Sequence, residues 1–264
     1  MFRHLAAVAL GLSALAAASA ADAPKKVTIH WYGQSFFQIV SSKGTRVVTD
    51  PHNIDILGHP PGIKADVITM SHNHNDHTMV SSVENADKAK ILPGWKGEGR
   101  KTDWNPIDQQ FKDVHIKTVG VYHDNDHGKE RGKNTVFIFD VDGLRLVHLG
   151  DLGHLLNATQ VKQIGPVDVL MIPVGGVFTI NGEEAKKVVA QLKPRRYIIP
   201  MHYGIGGFDD VLPADEFLDE QKKETIKRSK GNELVVGTDF RPAEPVIALL
   251  NYRSEAAERE SEGK

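Results

Sequence analysis

The chain has 264 residues, 40% hydrophobic and 25% charged, with a formal net charge of −2 and no cysteine. This is globular composition; it excludes fibrous and low-complexity classes, and the weak negative charge excludes a protein built to track nucleic acid. Any metal site must be made of His and carboxylate, and 13 His are present.

Arg3 precedes an uncharged Ala- and Leu-rich run, Leu5 to Ala18, which ends in the small-residue signal Ala18-Ser19-Ala20. The pattern predicts a secretory signal peptide over residues 1–20, cut after Ala20, and a periplasmic or secreted mature chain. The run falls short of the roughly 20 residues a membrane span needs. No later segment is long and apolar enough, so no integral membrane segment is expected in the mature chain. Removing residues 1–20 takes away one Arg and no acid, which moves the net charge from −2 to −3.

The mature chain opens with Val27 to Tyr32, which alternates apolar and polar residues and reads as a strand. Phe36 to Val40 and Arg46 to Thr49 are predicted strands around a turn at Lys43-Gly44, and Asp50-Pro51 ends the third. Residues 52–64 read as loop, and Ala65 to Met70 as a short buried strand. A helix is expected over Asp76 to Ala89. Ile91-Leu92 and Val114 to Val121 are predicted strands, and His123 to Lys133 is turn-rich. Val136 to Val141 and Leu144 to Leu149 pair as a hairpin across Asp142-Gly143. A short helix over Asn157 to Ile164, a strand over Val167 to Pro173, a helix over Glu183 to Leu192 and a strand over Arg196 to Pro200 follow. Residues 213–229 are expected to be helical, with late strands at 234–236 and 246–250. Residues 253–264 have almost no apolar content and read as a charged, disordered tail. No linker divides the interior, so residues 21–252 form one layered α/β domain.

His72-Asn73-His74-Asn75-Asp76-His77 follows a buried strand directly. His72 and His74 sit two apart in extended chain, so both imidazoles can point one way. Asp76 and His77 follow where the chain turns, so they can face a neighbouring point. Such a cluster would waste desolvation energy without a metal, and its ligand types suit Zn, Mn or Fe. One segment cannot fill two sites. His123, Asp151 and His202 each lie just past an apolar strand and are the candidates to complete them.

Trp31-Tyr32-Gly33-Gln34-Ser35-Phe36 with Asp50-Pro51, then the His72–His77 cluster, then His123, Gly150-Asp151 and His202, match in order the pattern of the metallo-β-lactamase fold superfamily, which the chain resembles over residues 27–252. Pro173-Val174-Gly175-Gly176 with Phe178-Thr179, and Ile199-Pro200-Met201-His202-Tyr203, resemble the branch that includes L-ascorbate-6-phosphate lactonase. The resemblance implies a four-layer αββα sandwich with a dinuclear site at one edge. It implies two divalent ions, Zn foremost with Mn or Fe as alternatives: His72, His74 and His123 on one, Asp76, His77 and His202 on the other, and Asp151 bridging. Redox relatives usually carry Glu where this chain has His74, which favours hydrolysis. Gln34 stands where relatives often carry His and is not counted as a ligand.

The expected chemistry is metal-dependent hydrolysis of a small ester-like substrate, a lactone or phosphodiester, by an activated hydroxide. Asp76 is expected to orient the attacking group, and His154, close to Asp151, to contact substrate or move a proton. The alternatives are a phospholipase D-like phosphodiesterase and a non-catalytic metal-loaded binding protein on the same fold. Specificity is expected to lie in loops 52–64, 94–106, 124–133 and 204–213. The expected partner is a small molecule; the sequence does not speak to oligomeric state.

Overall fold

The computed structural model describes residues 23–58, 61–98 and 102–262. The expected signal peptide lies outside the described residues. Two sheets account for most of the strands. The first has six, in the spatial order Glu233–Gly237, Lys26–Trp31, Phe37–Val40, Arg46–Thr49, Val67–Met70, Lys90–Pro93. The second has eight, in the order Ile226–Arg228, Val246–Leu249, Tyr197–Met201, Val169–Pro173, Leu144–His148, Lys133–Val141, Val114–Tyr122, Asp108–Phe111.

The sheets pack face to face because each strand of the first sends alternate side chains inward. In Lys26–Trp31 these are Val27, Ile29 and Trp31, all fully buried. They share one apolar cluster with Ile116, Val136, Phe137, Phe139 and Leu146 of the second sheet. The register pairs Ile29 with Ile39 and Trp31 with Phe37, so large side chains stack along one face. Val169–Pro173 is buried at every position. It runs parallel between two neighbours and is covered on both faces.

The outer face of the second sheet carries the helices Ala158–Ile164 and Gly182–Leu192, whose Ile164, Ala185, Val188 and Leu192 join the main core. Both begin at a reciprocal capping box, Asn157 with Gln160 and Asn181 with Glu184, and each cap contributes about 1 kcal/mol. The outer face of the first sheet is covered differently. Phe36, Val48, Ile68 and Met70 form a smaller cluster there under Val80, Val83 and Ala86. The architecture is an α/β sandwich, as expected.

Three expectations fail locally. Residues 76–89 are not one helix but two single 3-10 turns, Asn75–His77 and Val80–Ser82, followed by further turns. Thr78, Val80, Ser81, Ser82 and Val83 are weak helix formers, and tertiary partners capture the segment: Met79 N–H donates to the Pro51 carbonyl, and the Asn85 side chain pairs with both backbone groups of Ala65. Residues 213–229 hold only the short helix Asp215–Leu218 and a 3-10 turn at Lys223–Thr225. Ile226–Arg228 is instead an edge strand, parallel to Val246–Leu249. The charged end forms a helix over Glu255–Glu262, in keeping with its Ala, Glu and Arg content. The expected hairpin at Asp142-Gly143 is present, with both residues at positive φ (53° and 80°), as a tight turn between twisted strands demands.

Candidate metal centre

Topology brings the expected ligands to one edge. Val114–Tyr122 and Leu144–His148 both run antiparallel to Lys133–Val141, so they are parallel to each other. Tyr197–Met201 is parallel to Leu144–His148 through Val169–Pro173. The chain positions just after all three, His123, Asp151 and His202, therefore share one edge of the second sheet. The same logic in the first sheet puts Gln34, Asp50 and His72 at the matching edge, after Lys26–Trp31, Arg46–Thr49 and Val67–Met70.

The imidazoles converge on one carboxylate oxygen. Asp151 Oδ2 lies 3.1 Å from His77 Nε2, 3.1 Å from His202 Nε2, 3.3 Å from His123 Nε2 and 3.8 Å from His72 Nε2. His74 Nδ1 is 3.1 Å from His72 Nε2, and Asp76 Oδ2 is 3.4 Å from His77 Nε2. Three groups have ligand atoms within 4.8 Å of one another: His72, His74 and His123; His72, His77 and Asp151; and Asp76, His77 and His202. Ser35 Oγ donates to the other Asp151 oxygen, Oδ1, at 3.2 Å, which leaves Oδ2 to the rings.

Behind the segment-borne rings stands Asp50, fully buried. It accepts from Ser71 N–H and Ser71 Oγ at 2.6 Å each, and from His77 Nδ1 at 3.0 Å. Having given its proton to Asp50, Ser71 Oγ accepts from His72 Nδ1 at 2.9 Å. These contacts turn Nδ1 of both rings outward and Nε2 toward the centre, the orientation metal ligation requires. Strain collects here too. Among the described residues, nine non-glycine positions have positive φ, and Gln34, Asp50, Val177 and His202 of the nine lie at or beside the cluster.

The residues fit a metal. His77 Nε2 is buried and, although it lies 3.1 Å from Asp151 Oδ2, forms no well-aligned hydrogen bond, so a good ligand atom is incompletely satisfied, contrary to the usual pairing of buried polar atoms. Burial, with the nearby His77, holds the His72 pKa well below its ordinary value. Burial pushes His77 the same way, but Asp151 and Asp76 overcome it and hold its pKa well above. Asp151 is held well below the carboxylate range, because His202 and His77 outweigh its own burial. An ion-free centre thus forces buried rings to compete for one carboxylate, and divalent cations would satisfy the same atoms together.

Other expected residues fall elsewhere. His154 is held by backbone groups: Tyr122 N–H donates to its Nε2 at 3.0 Å, and its Nδ1 donates to the Leu155 carbonyl at 2.7 Å. Both nitrogens are committed to backbone, and the ring holds the segment before His123. His148 is likewise structural; it accepts from Gly150 N–H and donates to the Ser35 carbonyl at 2.9 Å, tying the two sheets together. His127 is exposed and meets the Tyr122 ring edge-on. Gln34 makes no ligand contact but donates from Nε2 to Asp76 Oδ2 at 3.0 Å. Its carbonyl accepts from His202 N–H and Trp31 Nε1.

A cavity of about 300 Å³ opens on the cluster, lined by His74, Asp76, His123, Asp151 and His202 with Arg131 and Phe178. Beyond Asp76 and His202 it gives way to one of about 530 Å³, with Ile54, Ile56, Phe208 and Val211 in its wall. Loops 52–64, 124–133 and 204–213 supply these walls, as expected. Arg131 and the supporting Ser71 were not singled out from sequence, and Ser35 and Phe178 stood only inside quoted motifs, with no role assigned. Ser71 had a readable signal, since it separates the buried strand from His72.

The profile of a family described as "Beta-lactamase superfamily domain" matches residues 28–202. The chain is 31% identical over 193 residues to a protein of Thermococcus onnurineus named UPF0173 metal-dependent hydrolase, covering 67% of this chain and 84% of that one. A candidate Zn-dependent hydrolase of the metallo-β-lactamase superfamily from Thermotoga maritima is similar in structure, with a TM-score of 0.63 at 33% identity, covering 85% of this chain and 98% of that one. A metallo hydrolase from Ignicoccus hospitalis, 19% identical with a TM-score of 0.52 over 70% of this chain and 86% of its own, shares the fold.

Proposed function

The chain belongs to the β-lactamase superfamily domain family, and from that membership we propose a metal-dependent hydrolase that holds two divalent ions and cleaves a small ester-like substrate, a lactone or phosphodiester. The convergence of four imidazole nitrogens on Asp151 Oδ2 carries the reading. His72, His74 and His123 would hold one ion and Asp76, His77 and His202 the other, with Asp151 between them. The donor set suits Zn, with Mn or Fe as alternatives. Bound ions would supply Lewis acidity and a water acidic enough to ionise near neutral pH.

The chain's own residues do the rest. Asp50 and Ser71 fix two rings in the ligating orientation. Gln34 donates to Asp76 Oδ2 and so fixes the carboxylate that would serve as the orienting acceptor in the cavity. Ile54, Ile56 and Phe208 offer an apolar surface to one side of the substrate. Export to the periplasm or beyond, read from the leader pattern, belongs to the same proposal; the N-terminal sequence of protein recovered from that compartment tests it.

Elemental analysis of the mature protein, with a panel of lactone, phosphodiester and β-lactam substrates on Zn- and Mn-loaded enzyme, tests the function. Bound metal with turnover of a lactone or phosphodiester is expected. Stoichiometric metal with no turnover on any of them would replace the hydrolase by a binding protein on the same scaffold.

A further inference from the structure

Arg131 is the only lysine or arginine among the described residues lining the metal cavity. Its place there is built. The buried Asp124 carboxylate accepts four backbone N–H groups, from Asp126, Gly128, Glu130 and Arg131, at 2.8 to 3.1 Å. His123 N–H donates to the Gly132 carbonyl at 3.0 Å. The loop is therefore wound round one acid and pinned beside a candidate ligand, and the Arg131 backbone is fixed with it.

The guanidinium is positioned as well. It lies 5.6 Å from the centroid of the Phe178 ring, a stacking contact that suits arginine. Phe178 is delivered by Val177, whose φ of 61° is unusual for a β-branched residue. Such strain persists where the surroundings hold it for a purpose.

Its donors are mostly unused. Nη1 reaches the exposed neighbour Glu130 at 3.2 Å, and Nη2 the Val177 carbonyl at 3.5 Å, the outer limit for a hydrogen bond. A guanidinium has five N–H donors. Lys129 and Lys133 join Arg131 only in an adjoining cavity that reaches His72 and His74, and each is already paired, Lys129 with Asp126 and Lys133 with Asp103, at 2.9 Å. Across the cluster the neighbouring cavity is lined by Ile54, Ile56, Phe208 and Val211 together with the acids Asp55, Asp209 and Asp210, so an anionic group has one side on which to dock.

We propose that Arg131, stacked on Phe178, is the anion-recognising residue of this site, and that the substrate carries a carboxylate or phosphate-type oxyanion beside the bond that is cleaved. The proposal names the substrate class of the hydrolase above and rests on that reading for the cleavage, though not for the binding. The planar fork can hold two oxygens at once, which a point charge cannot.

Isothermal titration of phenylacetate, phenylphosphonate and neutral phenylacetamide into metal-loaded wild type, Arg131→Lys and Arg131→Met tests it. Wild type is expected to bind at least one anion about tenfold or more tighter than the amide. Arg131→Met should lose that preference, with amide binding and metal content unchanged, and Arg131→Lys should fall between them. The anion that suffers the larger loss distinguishes carboxylate from phosphate. Equal binding of both anions by wild type and both variants would overturn the proposal, since the ions alone would then hold them. If Arg131→Met fails to fold, Arg131→Lys still decides: a loss confined to the anions supports the site, and unchanged affinities sink it. Titration needs no turnover, so absence of hydrolysis on every ester would remove the enzyme reading and leave the anion site to its own result.

Discussion

The two halves of the cluster are held by different means. The contiguous half, His72 to His77, is braced by hydrogen bonds: Asp50 and Ser71 lock His72 and His77 through their Nδ1 atoms. The distant half, His123 and His202, has no such brace; Nδ1 of each ring is buried without a hydrogen-bond partner. Close backbone packing places it instead. A Cβ at Gly153 would sit 2.3 Å from the His123 carbonyl carbon, and one at Gly175 would sit 2.3 Å from the His202 carbonyl oxygen. A ligand borne on a short segment needs its ring oriented, whereas one arriving from a distant strand needs its backbone delivered. Glycine permits the approach that delivers it.

The largest expected effect removes the point where the halves meet. On the proposed function, Asp151→Ala should lose bound metal and turnover together, measured by elemental analysis after gel filtration; full occupancy with wild-type rates would end the bridging assignment. Next, Gly153→Ala should displace the His123 backbone and cost about 1–3 kcal/mol of stability, read by urea denaturation, together with a fall in metal stoichiometry. Asp50→Asn tests the other brace. It should weaken metal binding about 10–100-fold in chelator competition, with a smaller change in stability than Gly153→Ala. If Asp50→Asn unfolded the protein and Gly153→Ala only weakened metal binding, the contrast between the halves would be reversed.

The smallest effect is a control at the far end of Val67–Met70, away from the cluster. Burial works to raise the Asp66 pKa, but Lys112 Nζ at 2.7 Å and Arg46 N–H at 2.8 Å hold it below its ordinary value. Its stabilisation is therefore complete above about pH 3.9, the ordinary value for Asp, and is lost as pH falls through the lower folded value. Asp66→Asn should flatten that acid limb in a pH series of thermal melts and leave metal content untouched.

Much of this was legible in the sequence. The alternation in Val27 to Tyr32 gave a strand with Val27, Ile29 and Trp31 inward, and they are. Asp142-Gly143 read as a hairpin turn because few other residues accept two positive φ values in succession. The two helices were expected within two residues of their bounds, and the caps at Asn157 and Asn181 that begin them are a local device that works wherever the helix docks. The failures are places where distant partners decided. Residues 76–89 gave their hydrogen bonds to Pro51 and Ala65, and Ile226–Arg228 became a strand because Val246–Leu249 offered an edge. Closeness to Asp151 in sequence also made His154 a candidate to contact substrate or move a proton. Its ring is taken up by backbone groups of Tyr122 and Leu155, which no spacing along the chain reveals.

The sequence by itself determined that a His and Asp cluster follows a buried strand, and which three distant residues could complete it, because ligand chemistry and strand ends are local properties. Only the tertiary structure decided that Asp151 receives four rings, that Asp50 and Ser71 orient two of them, and that Arg131 turns toward the same cavity. Each depends on where strands far apart in sequence come to lie in the two sheets, and that is fixed by how the sheets pack and how their strands run.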